Sequence, residues 1–246
     1  MKLALIGDPV EHSGSPRLHR RFMDEAGIDG SYVALRVQAG RVREALRRLR
    51  LDGYTGCNVT YPLKEEAFEV CSRLSSEARR ASAVNTIFFA GDVAGTDTDG
   101  IGVRTAIESI AEEPIALKRV GVLGYGATAR AVLAELQERD AYAFVWGRDR
   151  AKVARVCNLF EAQPWPYGNV PEIVVSALPP GVRLPPNLIE NLREPDVVID
   201  VNYGPRATLA RQIGREVIDG ETMLEAQARA SFDYWLAQLD AFSVRR

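Results

Sequence analysis

Residues 118–131 read KRVGVLGYGATARA, an apolar run that leads into two glycines and then into small residues. The run is typical of a buried strand, and the small residues after it are typical of the start of a helix. In such a strand, turn and helix segment, Gly124 permits the tight bend, Gly126 lets the backbone approach a pyrophosphate, and Ala129 lets the helix pack close to the strand. Amide groups at the start of the helix would then face the anion. The segment therefore predicts a turn that binds the phosphates of a dinucleotide.

Three further apolar segments support this interpretation, because a dinucleotide-binding domain needs successive strands joined by helices. Tyr142–Trp146 follows the turn after a helix of suitable length, and the segments 173–177 and 197–201 follow later in the chain. A helix through residues 103–110 is predicted before the strand of the 118–131 segment. The middle of the chain is therefore predicted to form an α/β domain around a parallel sheet.

The residues after the second strand decide which dinucleotide is preferred, because an acid there bonds the adenosine ribose and cations there bind a 2′-phosphate. Here residues 147–152 read GRDRAK. Arg148, Arg150 and Lys152 favour NADP, since arginine forks suit phosphate. Asp149 either keeps NAD possible or caps the next helix. NADP is thus the predicted cofactor, with NAD as the alternative.

The amino-terminal part of the chain carries a second kind of chemistry. Residues 56–64 read GCNVTYPLK, which puts an amide, a hydroxyl and an amine in one short segment. Pro62 removes a donor from the strand ladder, so Lys64 is predicted to lie at the strand end or at the start of the following helix, where it can reach into a cleft. The alternative is that Asn58 and Thr60 satisfy a turn and that Lys64 is solvated.

Hydroxyls, amides and acids recur at three more predicted helix starts and strand ends. Residues 12–16 (HSGSP) precede a helix in which Ser15 is a candidate N-cap and Pro16 suits the first position. Residues 83–86 (AVNT) lead into an apolar strand, and residues 95–100 (GTDTDG) bring two acids together. These acids lack the further oxygen ligands and the distal glutamate of a calcium loop, so no metal site is predicted.

Length, charge and cysteine content exclude several classes of protein. The 246 residues suffice for one large domain or two small ones, and the formal net charge of -2 argues against a nucleic-acid partner. Cys57, Cys71 and Cys157 are odd in number and widely spaced, which predicts a reducing compartment. The apolar run at the amino terminus is too short for a signal peptide or a membrane span. We therefore expect a cytoplasmic protein with no membrane partner.

With these segments assembled, the chain resembles the shikimate dehydrogenase family, and the resemblance extends from Gly7 to the last helix. The matches, in chain order, are HSxSP at residues 12–16, NVTxPxK at 58–64, AVNT at 83–86, TDG at 98–100 and MLxxQ at 223–227. Each motif is short, but their common order and spacing make the resemblance specific.

The resemblance implies an α/β fold of two domains with the active site in the cleft between them. Residues 1–101 and 221–246 would form the substrate-binding and catalytic domain, and residues 102–220 a Rossmann-like NADP-binding domain. The implied reaction is the reversible NADPH-dependent reduction of 3-dehydroshikimate to shikimate, a step towards chorismate and the aromatic amino acids. Lys64 and Asp99 would be the catalytic pair. The substrate would be bound by Ser13, Ser15, Thr60, Asn85, Asp99, Tyr203 and Gln227. The cofactor would be bound by Gly124, Gly126, Ala127, Arg148, Arg150, Lys152 and Ala177.

General chemistry agrees with the role implied for the lysine. Moving a hydride between a ring carbon and a nicotinamide requires a group that gives or takes the hydroxyl proton, and a lysine held by an acid can do so. Burial would lower the pKa of Lys64 and Asp99 would raise it, so the sequence leaves the net direction open.

The departures from the family patterns cluster in the cofactor half, although Gly14 and Arg20 in the amino-terminal part are also unusual choices. Tyr125 and Ala127 stand where the usual GAGGxxRA turn has small residues, and residues 147–149 read GRD where NRT is usual. These differences leave open a quinate dehydrogenase or a related enzyme that uses NAD, and also a non-catalytic dinucleotide or metabolite sensor. Retention of Lys64 and Asp99 argues against the sensor, which needs no proton-transfer pair. The sequence leaves both a monomer and a homodimer open.

Overall fold

The computed structural model describes residues 1–111 and 114–243. The strands are β1 (Lys2–Gly7), β2 (Ser31–Arg36), β3 (Gly56–Val59), β4 (Arg73–Leu74), β5 (Thr86–Ala90), β6 (Asp92–Thr96), β7 (Arg119–Leu123), β8 (Tyr142–Trp146), β9 (Gln163–Pro164), β10 (Ile173–Ser176) and β11 (Val197–Asp200). The helices are α1 (Ser15–Glu25), α2 (Val42–Leu51), α3 (Lys64–Val70), α4 (Ser76–Ala81), α5 (Asp99–Ala111), α6 (Ala127–Glu138), α7 (Arg150–Phe160), α8 (Pro186–Asn191), α9 (Leu209–Ile213) and α10 (Glu221–Ser243). A 3₁₀ helix, Gly204–Arg206, follows β11.

Contacts within the chain divide it into two compact units. Unit 1 comprises Met1–Asp99 and Gln227–Arg246, and unit 2 comprises Gly100–Ala226. The predicted domain boundaries, after residue 101 and before residue 221, come from motifs and stay a prediction of which residues serve the substrate and which the cofactor. Residues 112–113 and 244–246, which the predicted domains include, lie outside the described residues.

Unit 1 is built on a six-stranded sheet with the order β2-β1-β3-β5-β6-β4. β1 pairs in parallel with β2 and β3, whereas β5 runs antiparallel to β3 and β6. Residues 3–6 of β1 are buried, which explains its uninterrupted apolar run. Ile6 is paired with Val59, so the loops that follow β1 and β3 leave the sheet at the same edge.

The pairing of β5 explains how distant motifs meet at this edge. Asn58 at the end of β3 pairs with Thr86, and Thr86 pairs with Thr96 at the end of β6. Because β5 runs antiparallel to both neighbours, its first residue lies beside their last residues. The segments that follow β3 and β6 therefore meet the segment that precedes β5, which brings the NVTxPxK, TDG and AVNT motifs together.

Unit 2 is built on a five-stranded parallel sheet with the order β11-β10-β7-β8-β9. Four of these strands lie where the sequence predicts them, with ends that agree to about a residue. Val120 and Val122 of β7 are buried together with Val132 and Leu133 of α6, because parallel strands need helices to cover their faces. The predicted α/β fold with parallel strands is therefore confirmed.

Three details differ from the sequence predictions. The sequence indicates a turn that begins at Gly91, and Gly91 with φ 74° does close a tight hairpin, but the strand β6 at Asp92–Thr96 that follows it is not predicted. Ser15 does not cap α1, since Gly14 holds the N-cap position and no side-chain cap bond is made there. The sequence predicts that Val59 and Tyr61 both lie in a strand, but β3 ends at Val59, so Tyr61 lies beyond it. Over residues 1–111 and 114–243, no helix combines the length and apolar character needed to cross a membrane.

Candidate active site

Lys64 and Asp99 form an ion pair inside unit 1. Lys64 is the first residue of α3 and Asp99 is the first residue of α5, so each side chain projects from a helix start. The Lys64 ammonium donates a hydrogen bond to Oδ2 of Asp99. The two side chains are 12% and 5% exposed, so the pair is largely removed from water. The alternative in which Lys64 is solvated is therefore wrong.

The pKa of Lys64 is raised above its ordinary value. Burial is the largest single influence and lowers the pKa, but the negative charges of Asp99 and Asp97 and the hydrogen bond to Asp99 together raise it by more. The sequence left this direction open, and the buried acids decide it. Lys64 is consequently an ammonium at neutral pH and can donate a proton.

The Asp99 carboxylate is held on both oxygens. Oδ2 accepts from Lys64, and Oδ1 accepts from Nδ2 of Asn85 at 2.7 Å. The Asp99 amide donates to Oδ1 of Asp97 at 3.0 Å, which fixes the start of α5. A carboxylate bound on both sides has few orientations open to it, so it presents the lysine in a defined position.

Asn85 is fixed in turn by its neighbours in sequence and space. Its Nδ2 donates to Oγ1 of Thr98 at 3.0 Å, and its Oδ1 accepts from the Thr98 amide at 3.1 Å and from Oγ1 of Thr86 at 2.7 Å. Asn85 is 2% exposed. The second amide motif of the sequence therefore supports Asp99 directly.

Ser231 on α10 extends this network, and the sequence analysis missed it. Its Oγ lies 2.7 Å from Oγ1 of Thr86 and 3.1 Å from Oγ1 of Thr98, and it donates to the Gln227 carbonyl at 2.9 Å. Thr98 donates to the same carbonyl at 3.0 Å. Ser231 is fully buried. Its position four residues after Gln227, within the apolar stripe of the helix, is the only signal in the sequence.

Asn58 completes the network at its other end. Its Nδ2 donates to the Asn85 carbonyl at 3.1 Å, to Thr86 Oγ1 at 3.1 Å and to Ser231 Oγ at 3.2 Å, and its Oδ1 accepts from the Tyr32 hydroxyl at 2.7 Å. Asn58 is 5% exposed. The first amide of the NVTxPxK motif is therefore a buried support for the second amide motif.

The remaining residues of unit 1 that are predicted to bind substrate lie near the carboxyl ends of its strands. Ser13 donates to Ser15 through their hydroxyls at 3.2 Å, and the Ser15 amide donates to Ser13 Oγ at 3.2 Å. Thr60 is half-buried, and a Cβ at Gly7 would lie 2.3 Å from its Cγ2, so glycine is needed at the end of β1. The Gln227 side chain is half-buried. Their roles in substrate binding stay a prediction.

Tyr203 belongs to unit 2, where it is half-buried and precedes the 3₁₀ helix Gly204–Arg206. It follows β11 closely in sequence, so it lies at the carboxyl end of a parallel strand of this unit. Its predicted role toward the substrate is untested by this position and stays a prediction.

The glycine turn of unit 2 has the backbone geometry that a pyrophosphate needs. Gly124 has φ 122°, and a Cβ there would lie 3.1 Å from the Ala177 carbonyl oxygen. Gly126 is the N-cap of the twelve-residue helix α6, which has no side-chain cap, and a Cβ at this glycine would meet nothing within 4 Å. The helix therefore begins at Ala127 with amides that can donate hydrogen bonds to a phosphate, and these residues fit a dinucleotide.

The cations after β8 lie at the start of α7. Arg148, Arg150 and Lys152 are exposed. Asp149 is the N-cap of α7, and its Oδ1 accepts from the Lys152 amide at 3.1 Å. Asp149, the acid on which the NAD alternative rests, therefore serves as a helix cap. The predicted roles of the cations in cofactor binding stay a prediction.

His19 is a core residue of unit 1. It is fully buried and stacks on Tyr32 with ring centroids 4.5 Å apart. Burial lowers the pKa of His19 to about 3, so the ring is neutral at ordinary pH. Across residues 1–111 and 114–243, no group of three or more His, Cys, Asp or Glu side chains is arranged to hold a metal ion.

Comparisons with known proteins agree with this arrangement. Residues 5–87 match the family model described as the shikimate dehydrogenase substrate binding domain. The shikimate dehydrogenase (NADP(+)) of Methanothrix thermoacetophila is 32% identical over 244 residues, which cover 94% of this chain and 90% of that protein.

Two solved structures are similar over nearly their whole length. The Ael1 enzyme from Pseudomonas putida is 30% identical with a TM-score of 0.82, covering 95% of this chain and 92% of that chain. The shikimate 5-dehydrogenase of Thermus thermophilus, solved in complex with NADP(H) and shikimate, is 29% identical with a TM-score of 0.83, covering 96% of this chain and 93% of that chain. Since sequence identity and fold agree from end to end, and the Lys64 and Asp99 pair occupies the matching motifs, this chain belongs to the shikimate dehydrogenase family.

Proposed function

We propose that this protein catalyses the reversible NADPH-dependent reduction of 3-dehydroshikimate to shikimate, a step towards chorismate. The observation that carries the proposal is the buried ion pair of Lys64 and Asp99, which Asn85 holds in place. The Methanothrix relative, which bears the name shikimate dehydrogenase (NADP(+)), supports the choice of substrate and cofactor. A lysine kept protonated in a buried position is the group that reduction of a ketone requires.

The proposed mechanism assigns the proton transfer to Lys64. NADPH, when bound, supplies a hydride to the ring carbon that carries the ketone. The Lys64 ammonium gives its proton to the carbonyl oxygen, so that a C–H and an O–H bond form as the C=O π bond breaks. The neutral amine then regains a proton from solvent. In the oxidation direction the same amine takes the hydroxyl proton, and Asp99 keeps it in place throughout.

The other predicted residues are proposed to bind the substrate and the cofactor. The substrate's carboxylate and hydroxyls are assigned to Ser13, Ser15, Thr60, Asn85, Asp99, Tyr203 and Gln227. The cofactor's pyrophosphate is assigned to the turn of Gly124, Gly126 and Ala127 beside Ala177, and its 2′-phosphate to Arg148, Arg150 and Lys152. Residues 1–101 and 221–246 are the proposed substrate domain, and residues 102–220 the proposed cofactor domain.

The proposal also covers location and assembly. Cys57, Cys71 and Cys157 are free thiols, and Cys57 and Cys71 have raised pKa values because they are buried. Such unreactive thiols support a reducing, cytoplasmic location. A monomer or a homodimer is proposed as the assembly.

The test is the initial rate of shikimate oxidation with NADP and with NAD, measured for the wild type and for Lys64→Ala. We expect NADP to be preferred and kcat in the variant to fall by about 10²- to 10⁴-fold with little change in KM, because removal of a general acid and base slows chemistry more than binding. Lys2→Ala removes an exposed ammonium of the same unit and is the matched control. Undiminished turnover in Lys64→Ala would contradict the proposal.

A second candidate is a family member that uses quinate or another cyclohexane carboxylate in place of shikimate, with NAD as cofactor. Asp149 motivates it, and so does the similarity to an enzyme with another name, Ael1. Faster turnover of quinate with NAD in the same assay would establish it. A sensor would bind a dinucleotide without any turnover, which the buried pair of Lys64 and Asp99 argues against.

A further inference from the structure

The ring of Tyr125 packs against the α-carbon of Gly147 in unit 2. A Cβ built on Gly147 would lie 2.6 Å from Cδ1 and 2.7 Å from Cε1 of the Tyr125 ring. It would also lie 3.0 Å from Cγ2 of Val153, which is buried in the core of this unit. Carbon atoms do not approach so closely, and a core side chain cannot easily give way. The ring of Tyr125 therefore stands where a side chain at residue 147 would begin.

The ammonium of Lys152 lies over the same ring. Nζ of Lys152 lies 5.5 Å from the centroid of the Tyr125 ring, within the reach of about 6 Å at which an ammonium is attracted to an aromatic face. The backbone of Lys152 is fixed as well, because its amide donates to Oδ1 of the capping Asp149 at 3.1 Å. Asp149 thus fixes the backbone of Lys152, and the Tyr125 ring lies beneath the ammonium at the far end of its side chain.

The sheet explains why these groups meet beside the phosphate turn. β7 and β8 are parallel neighbours in which Leu123 pairs with Trp146. The residues that follow the two strands therefore leave the sheet at the same edge. Gly124–Gly126 and Gly147–Asp149 come together there, and so Tyr125 meets both Gly147 and Lys152.

We propose that Tyr125 is a positioning residue for recognition of a 2′-phosphorylated adenosine, and that it acts by holding the ammonium of Lys152. The inference rests on the proposed function and deepens it, because it names the device by which this chain selects NADP. Tyr125 depends on Gly147 for this role, since the ring can take its position only where residue 147 has no side chain.

The test is isothermal titration calorimetry of the full chain with adenosine 2′,5′-bisphosphate and with 5′-AMP, which lacks the 2′-phosphate. Tyr125→Ala should weaken the bisphosphate about tenfold and leave 5′-AMP within about twofold, since one charge-assisted bond is lost. Tyr125→Phe keeps the ring and should bind like the wild type. Lys152→Ala should show the same loss as Tyr125→Ala.

Coupling between the two residues is the readout that a merely structural role would not give. If Tyr125 acts through Lys152, the double variant Tyr125→Ala with Lys152→Ala should bind the bisphosphate no more weakly than Lys152→Ala alone. Arg155→Ala is the matched control, because it removes an exposed cation one turn further along α7. It should leave the ratio of the two affinities within about twofold of the wild type.

A second pair of variants tests the shared space. Gly147→Ala should displace the ring and lower the affinity for the bisphosphate, whereas the same substitution in the Tyr125→Ala background should have little further effect. Circular dichroism of each variant establishes that it is folded before affinities are compared.

The outcomes separate this inference from the proposed function. If the wild type binds neither ligand, or binds 5′-AMP as tightly as the bisphosphate, the proposed use of NADP fails and this inference fails with it. If the wild type prefers the bisphosphate but Tyr125→Ala keeps that preference, or if the losses in the double variant add, the positioning role of Tyr125 is overturned while the proposed function stands.

Discussion

The region around Lys64 and the glycine turn of unit 2 are built in different ways. Around Lys64 the functional groups are buried side chains that hold one another by hydrogen bonds, as Asn85 holds Asp99. In the glycine turn the groups proposed to bind a ligand are backbone amides and exposed cations, positioned by the φ of Gly124 and by the start of α6. The first region depends on the identity of each residue, whereas the second depends on backbone shape and available space.

This difference accounts for why the departures from the family patterns cluster in unit 2 rather than around Lys64. The motifs of unit 1 are retained, because a substitution in a buried network leaves a polar group without a partner. Tyr125 and Gly147 depart from the family patterns together in unit 2, where a ring in one place is compatible with a glycine in the other. Three variants, taken from the largest expected effect to the smallest, test this comparison.

Asp99→Asn should have the largest effect. It removes the charge and the strongest hydrogen-bonding group beside Lys64, so we expect kcat to fall by about a hundredfold or more. It also removes two of the causes that raise the pKa of Lys64, while burial, which lowers it, remains. Reduction requires the Lys64 ammonium. In the variant, kcat for reduction should therefore begin to fall at a lower pH than in the wild type. A pH profile of kcat measures both effects.

The same pair gives a stability prediction whose sign is fixed. Because the pKa of Lys64 in the folded protein is above the ordinary 10.5, its contribution to the free energy of unfolding is present below that pH and is lost as pH rises through the higher folded value. Asp24→Asn removes an exposed carboxylate of the same unit and should leave the pH profiles of kcat and of the free energy of unfolding unchanged. An unshifted pH profile in Asp99→Asn would show that Asp99 does not set the pKa of the lysine.

Ser231→Ala should have an intermediate effect. Its hydroxyl contacts Thr86, Thr98 and the Gln227 carbonyl, all within the buried network. Loss of this group should lower the free energy of unfolding by about 1–3 kcal/mol, measured by urea denaturation. It should also lower kcat/KM, because Thr98 and Asn85 lose part of their support. Ser31→Ala, at an exposed serine of β2 in the same unit, is the control, and equal stability losses in the two variants would show that the Ser231 hydroxyl does not stabilise the network.

Much of the parallel sheet of unit 2 could be predicted because each strand is a buried apolar run with a helix or a turn after it. The position of Lys64 at a helix start could also be predicted, since Pro62 ends the strand ladder before it. The same patterns did not predict strand β6, because its sequence of glycine, aspartate and small residues is typical of a turn. It becomes a strand only because β5 offers it a partner across Gly91.

The role of Ser231 and the contact between Tyr125 and Gly147 escaped the sequence analysis for a different reason. Ser231 lies in the apolar stripe of α10, where a serine carries no mark of its function until Thr86 and Thr98 come beside it. Tyr125 and Gly147 are separate departures in the sequence, and only the pairing of β7 with β8 makes them neighbours. Contacts between residues distant in sequence depend on strand order, which local patterns do not encode.

Asp149→Ala should have the smallest effect, and it addresses the remaining question about the cofactor. If Asp149 serves as the N-cap of α7, its loss should lower the free energy of unfolding by about 1 kcal/mol. The ratio of NADP to NAD affinity should change by less than about threefold, since the capping bond is to the Lys152 amide. Asp149→Asn can cap equally well and should restore the stability. A tenfold loss of NAD affinity in both variants, with stability unchanged, would instead place this carboxylate on the adenosine ribose and favour NAD, so that the exposed turn would depend on residue identity as strictly as the buried pair does.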